Sequence, residues 1–157
     1  MEHTAPGKNF TKVLIPLKEG EWGDLKTEAL WAELVRPGIY RLANVPFFVY
    51  GLSAEDLVSA EPIGDNASFI DIFQRGGHST YRLLLTKGLA YTSPEFLTFW
   101  KQLESLGCTF ESAGKTWIAV DVPPMVTMDA VYRILDAASN AGVWTTDEGY
   151  RAETAPQ

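Results

Sequence analysis

The spacing of apolar positions changes once along the chain. From Phe10 to Arg75 apolar residues alternate with polar ones in short runs cut by Gly, Pro and Asn, which is the period of half-buried strands. From Thr80 onward, strand-like runs are interleaved with two stretches at the three- and four-residue spacing of an amphipathic helix.

In the first half, Phe10–Leu17 predicts a strand with Val13, Ile15 and Leu17 on one face. Glu28–Val35 and Ile39–Phe48 predict two more, joined by Arg36-Pro37-Gly38, where Pro presets φ and Gly accepts positive φ. Asn44-Val45-Pro46 is expected to break or bulge the second of these, since Pro has no N–H for a ladder. Pro46–Gly51 is then a dense apolar cluster at a bend. Ser53–Asp56 predicts a short capped helical turn, with the Ser side chain covering free N–H groups. Leu57–Pro62 and Ser68–Arg75 pair across Gly64-Asp65-Asn66. Five short strands at this spacing predict a small curved sheet or SH3-like barrel.

In the second half, Thr80–Thr86 predicts a strand. Ser93-Pro94 opens a helix with Ser as N-cap and Pro at the first helical position. Phe96, Phe99, Trp100, Leu103 and Leu106 form its apolar face, and Gly107 ends it. Thr109–Ser112 and Thr116–Val122 pair across Ala113-Gly114; Ile118, Val120 and Val122 face one way, Trp117, Ala119 and Asp121 the other. Thr127 caps a second helix with an apolar stripe of Val131, Ile134, Leu135 and Ala138. Gly142 ends it, and Val143–Asp147 predicts a last strand.

The order β-α-β-β-α-β is that of the ferredoxin-like split unit, with both helices on one face of a four-stranded antiparallel sheet. The expected fold class is therefore α+β. A β-rich subdomain over residues 10–76 packs on a ferredoxin-like subdomain over residues 77–150. Residues 1–9 and 151–157, polar and Pro-containing, are expected to be loose and flexible. The second sheet face is left for solvent, the first subdomain or a partner.

Composition narrows the function classes. The 157 residues carry a net charge of -7, and 46% hydrophobic with 12% aromatic residues suit a packed core. Acids outnumber bases 11 to 7 in residues 1–76 and 9 to 6 in residues 77–157, so the acidity is spread out. No Lys/Arg run offers the footprint of a nucleic-acid binder. A single cysteine, Cys108, excludes an internal disulfide and a Cys-based zinc site and suits a reducing compartment. No apolar run approaches the ~20 residues of a membrane span, and residues 1–9 lack signal-peptide order. The expected location is the cytoplasm.

Several stretches resemble a bacterial family known as domain-of-unknown-function family 4265. They are Leu30-Trp31-Ala32-Glu33, Tyr40–Gly51, Gly77–Arg82, and Leu106-Gly107-Cys108 together with Ala119–Pro124. The resemblance runs over roughly residues 10–150 and implies no activity, cofactor or site.

Candidate chemistry gathers at Gln74–Arg82. A Gly76-Gly77 pair lets backbone N–H groups converge on an anion, Arg75 and Arg82 supply planar donors, and His78, Ser79 and Thr80 add more. The alternative is a hinge whose side chains satisfy local backbone. Ser79 and His78, as strand neighbours, point to opposite faces, which disfavours a nucleophilic couple. His78 with Asp71 or Asp121 is the acid/base pair open to folding. Cys108 reads as a core thiol. His3 is assigned to the loose tail, so no metal site is expected, and no cofactor. Gly114-Lys115-Thr116 has the ending of a phosphate loop but sits in a hairpin, without the required earlier Gly or a following helix. Phe47, Phe48 and Tyr50 read as core or as a pocket wall. Trp117 on the open sheet face, with Tyr81 nearby, is the candidate partner anchor, and burial of Trp117 against the first subdomain is the alternative preferred over it.

The leading expectation is a non-enzymatic, acidic cytoplasmic binding or accessory protein that engages a protein partner, in an immunity-like neutralising role against a basic toxin or enzyme. The second is small-molecule or anion binding, with catalysis as its extension, at Arg75, Gly76, Gly77, His78, Ser79, Thr80 and Arg82. The third is a structural homodimer through sheet edges.

Overall fold

The computed structural model describes residues 2–7 and 9–153. Strands β1 (Phe10–Pro16), β2 (Thr27–Arg36), β3 (Ile39–Leu42), β4 (Leu57–Ile63) and β5 (Asn66–Gln74) close into a barrel in chain order. Neighbours are antiparallel; closure comes from a parallel pairing of β1 with β5, Val13 opposite Ala67 and Leu14 opposite Ser68. Closure removes the free edges that an open five-stranded sheet would present. Val13, Leu30, Ala32, Leu42, Val58 and Ala67 fill its interior. These come largely from the alternate positions that the period-two pattern marks.

The second unit holds β6 (Ser79–Leu85), α1 (Pro94–Leu106), β7 (Thr109–Ala113), β8 (Trp117–Val122), α2 (Met128–Asn140) and β9 (Trp144–Tyr150). Its antiparallel sheet has the order β7-β8-β6-β9. One face packs on the helices: Tyr81, Leu83 and Leu85 from β6 and Ile118, Val120 and Val122 from β8 meet Phe96, Trp100 and Leu103 of α1 and Val131, Leu135 and Ala138 of α2. Each such large side chain contributes about 1.5–3 kcal/mol on full burial. The other face carries Trp117 and Ala119, which join the same apolar cluster as Phe47, Phe48 and Val49. The barrel covers it, so the face is not open to solvent.

Three local expectations change. Strand β3 ends at Leu42, short of Phe48. Beyond it the backbone turns to carboxylates: Val45 N–H donates to Glu111, and Phe47, Phe48 and Val49 N–H all donate to Glu28. Ser53–Asp56 is a turn and not a helical one. Asp56 accepts the Ser53 N–H at 2.9 Å, while the Ser53 hydroxyl reaches Thr80. The N-terminal segment is not loose at its start, since His3 is buried. The expected looseness of residues 154–157 lies outside the described residues, whereas Ala152 N–H is tied to Ser79.

Helix ends stand where the sequence puts them, but neither expected N-cap side chain bonds its own helix: Thr127 stands at the N-cap of α2 without a side-chain cap bond. Gly107 takes the left-handed conformation at φ 110° that closes α1. Ser93 stands at the N-cap, yet its hydroxyl accepts from the Ala90 N–H and not from the helix. Among the described residues no helix is long and apolar enough to cross a membrane.

Candidate functional site

The segment from Gln74 to Arg82 carries the chain from the barrel into the second sheet. Glycine is required at 76, because a Cβ there would stand 2.5 Å from the Glu55 carbonyl oxygen. Gly77 has φ 86° and turns against Pro124. The N–H groups do not converge on an open anion site. Gly76 N–H donates to Asp56 Oδ1 at 2.9 Å, and Arg75 donates to Asp56 Oδ2 at 3.2 Å and to the Gly51 carbonyl. The Arg75 guanidinium also lies 4.0 Å over the Tyr150 ring. An internal carboxylate thus occupies the place where an anion was expected.

Arg82 goes deepest. It is fully buried, between sheet and barrel. Nε donates to Asp147 at 3.0 Å, Nη1 to the Val49 carbonyl at 2.8 Å and Nη2 to the Phe48 carbonyl. Its guanidinium lies 4.6 Å over the Tyr50 ring. A buried charge persists only when paired and hydrogen-bonded, and Arg82 has both. Thr80, beside it on the same face, bonds Ser53 and the Leu52 carbonyl. Ser79 points to the opposite face and accepts from Ala152 N–H. The strand parity that separates Ser79 from His78 therefore holds, and no Ser–His couple forms.

His78 is paired with Asp121, Nδ1 standing 2.9 Å from both carboxylate oxygens. This is one of the two partners that the sequence offered; Asp71 lies elsewhere and bonds the Ile72 N–H. The bond to Asp121 raises the His78 pKa above the ordinary value. With Nδ1 fixed in this way, Nε2 has no protein partner among the described residues. His78 lines an open cleft of about 440 Å³ with Arg41, Glu55, Gln74, Arg75 and Gly76. The cleft is not strongly cationic, since Arg41 is paired with Glu33 at 3.2 Å and Arg75 with Asp56.

A second histidine site was missed by sequence reading. The His3 ring stacks on Phe47, centroids 3.9 Å apart and planes 8° from parallel. Nε2 is 2.7 Å from Glu28 Oε2, and Nδ1 is 3.4 Å from Glu111 Oε1. Both ring nitrogens meet carboxylates, so imidazolium is the form that satisfies them. Burial works against that charge, but the bonds to Glu111 and Glu28 outweigh it and the His3 pKa ends above its ordinary value. Burial likewise opposes ionisation of Glu28, yet His3 and the Val49 and Phe47 N–H groups bring its pKa below the usual range. No local sequence signal joins His3, Glu28 and Glu111; only the tertiary fold does.

Tyr81 and Trp117 do not form the shared anchor expected of them. They lie on opposite faces of the sheet. Tyr81 is buried under the helices, its hydroxyl between Tyr132 and Glu148. Trp117 is half-buried against the barrel and donates to the Phe47 carbonyl at 3.0 Å. Cys108 is a core thiol whose pKa burial, with Asp121 nearby, pushes up to about 11. Among the described residues no three His, Cys, Asp or Glu side chains are grouped to hold a metal.

No curated protein matches the chain. A solved structure described as a novel crystal structure of a hypothetical protein from Neisseria gonorrhoeae is similar in fold, at TM-score 0.78 and 16% identity, over 92% of this chain and 97% of that one. The model of a domain of unknown function (DUF4265) matches residues 28–146, most of the chain, and the protein belongs to that family.

Proposed function

We propose that the protein is a non-enzymatic binding protein that engages a basic protein partner through the outer wall of its barrel. The observation that carries this is a set of exposed apolar side chains on barrel strands: Leu34 at 53%, Val35 at 43%, Ile63 at 57%, Ile70 at 55% and Phe73 at 49%. Exposed Glu61, Asp65 and Asp71 share the β4–β5 hairpin with Ile63, Ile70 and Phe73, and Arg36 at the end of β2 lies 4.9 Å over the Phe73 ring. Apolar side chains among acids suit an interface with an apolar centre and a basic rim. The net charge of -7 points the same way and would speed encounter with such a partner. An immunity-like neutralising role in the cytoplasm is one form of this activity. The sheet face first expected to bind is covered by the barrel, so the barrel wall takes its place.

The architecture also reads as an SH3-like barrel on a ferredoxin-like unit. What supports the second label is the element order β6-α1-β7-β8-α2-β9 with sheet order β7-β8-β6-β9.

The test is a photoreactive residue placed at position 73 in cells. A discrete adduct with a basic protein, lost when Ile70→Asp is added, is the expected result. An adduct of twice the chain's own mass would replace the proposal with the homodimer reading. No adduct, or one insensitive to Ile70→Asp, would overturn it.

A second reading is favoured by the His78–Asp121 pair. An oriented imidazole with a free Nε2 on a cleft is suited to binding a small hydroxyl- or carboxylate-bearing molecule and to passing a proton to it. Chemical-shift titration of the His78 ring with small carboxylates and phosphates checks this. A ring that never responds would remove it.

A further inference from the structure

We infer that residues 2–5 fill, in cis, a recognition site for a flat cationic side chain, so that the His3 imidazolium stands where an arginine or histidine of a partner chain would sit. The site has three walls. Phe47 offers a ring face at 3.9 Å. Glu28 and Glu111 offer a carboxylate at each ring nitrogen. A planar cation stacked on an aromatic face with carboxylates in its plane is the arrangement that guanidinium and imidazolium groups satisfy and a tetrahedral ammonium does not.

The walls are built without the strap. Glu28 is 4% exposed and is fixed by N–H donors from Phe47, Phe48 and Val49 at 2.6–2.9 Å. Glu111 is fixed by Val45 N–H and by Asn44 Nδ2. Asn44 is itself set by the Trp31 N–H. Removing His3 would therefore leave a formed, negatively charged slot. The strap is held lightly by comparison. Apart from the imidazole, it accepts from Trp31 Nε1 at the His3 carbonyl and from Asn44 Nδ2 at the Thr4 carbonyl, and Thr4, Ala5 and Pro6 are exposed. Beside His3 a cleft of about 270 Å³, lined by Glu2, Lys12, Leu25, Thr27, Glu28 and Phe48, leaves room for a longer side chain than histidine. The site lies on the start of β2 and shares no residue with the exposed set Leu34, Val35, Ile63, Ile70 and Phe73, so failure of either proposal leaves the other intact.

The experiment uses the full chain carrying His3→Ala. Amide signals of Phe47, Phe48 and Val49 report on Glu28 while methylguanidinium, imidazole or methylammonium is added. Saturable shifts at these three amides are expected with methylguanidinium and imidazole. Their affinity should be about tenfold or more above that for wild type, where His3 competes, and above that for methylammonium. Adding Glu28→Gln to His3→Ala should abolish them. If His3→Ala does not fold, the same series is run on His3→Gln and on wild type, where movement of the His3 ring signals reports displacement. Absence of saturable shifts, or an equal response to methylammonium, would overturn the inference.

Discussion

The two faces of the β7-β8-β6-β9 sheet are closed by opposite means. On the helix side β6 contributes Tyr81, Leu83 and Leu85 to an apolar layer. On the barrel side the same strand contributes Thr80 and Arg82, both buried and both hydrogen-bonded across the joint. Apolar packing is non-directional and tolerates small shifts. Hydrogen bonds to fixed carbonyls do not, because geometry decides whether a buried donor is satisfied. The helices can therefore settle on their face by volume, while the barrel is held in one orientation by Arg82 and its partners.

The largest effect should come from breaking the polar side. Arg82→Ala leaves the Phe48 and Val49 carbonyls without their donor, leaves Asp147 with the Tyr50 hydroxyl but no cation, and opens a cavity, at a cost of about 3–5 kcal/mol in urea unfolding. Arg82→Lys should recover little of this, since an ammonium cannot reach all three acceptors in the planar fork. A cost below about 1 kcal/mol for Arg82→Ala would show that the joint does not depend on it.

Breaking the apolar side gives the next effect. Leu83 is fully buried between β6 and the helices. Leu83→Ala should cost about 2–5 kcal/mol by the same measurement. The contrast lies in the spectra: amide shifts should stay within the helix side for Leu83→Ala and cross into residues 47–50 for Arg82→Ala. Equal spread in both would erase the distinction between the faces.

At the rim of the polar joint, the His78–Asp121 pair adds a pH dependence. His78 has a folded pKa above 6.5, so its contribution is fully present below that value and is lost as pH rises through the folded pKa. Wild type should lose stability relative to His78→Asn as pH rises from 6.5 through the folded pKa, by about 1 kcal/mol given the partial exposure of the pair. A difference that is flat, or that grows with pH, would mean that Asp121 does not favour the charged imidazole.

The helix side was legible in the sequence and the joint was not, for a physical reason. Phe96, Trp100 and Leu103, or Ile118, Val120 and Val122, announce a buried face through spacing alone, because apolar burial follows local period. The same alternation placed Trp117, Ala119 and Asp121 together on the barrel side. What spacing does not encode is which carboxylate a distant backbone will find. Val45, Phe47, Phe48 and Val49 lie outside the ladder with their N–H groups on Glu111 and Glu28, and those acids are 19 or more positions away. His3 looked like part of a tail for the same cause, its partners being 25 and 108 residues off. The Gly76-Gly77 turn between the two units is marked in the sequence by its two glycines. Its occupation by Asp56 is not, since an acid beside a turn has no sequence mark that separates capping from display.

The smallest effect tests whether the polar side owes anything to its aromatic residues. Trp117 stacks with Phe48 at 6.5 Å, meets Trp22 edge-on at 5.8 Å, and donates its indole N–H to the Phe47 carbonyl. Trp117→Phe keeps an aromatic ring in the stack and removes that donor together with the second ring of the indole. Phe47 is buried but Trp117 is half-buried, so the space that the indole vacates can admit water to the Phe47 carbonyl, and the loss should be about 0.5–1.5 kcal/mol. It should also be additive with Leu83→Ala, which acts on the other face, and non-additive with Arg82→Ala, which binds the next two carbonyls of the same loop. A double-mutant cycle measures both couplings. Coupling of Trp117 to Leu83 as strong as its coupling to Arg82 would mean that the sheet transmits strain from face to face, and that its two sides are closed as one.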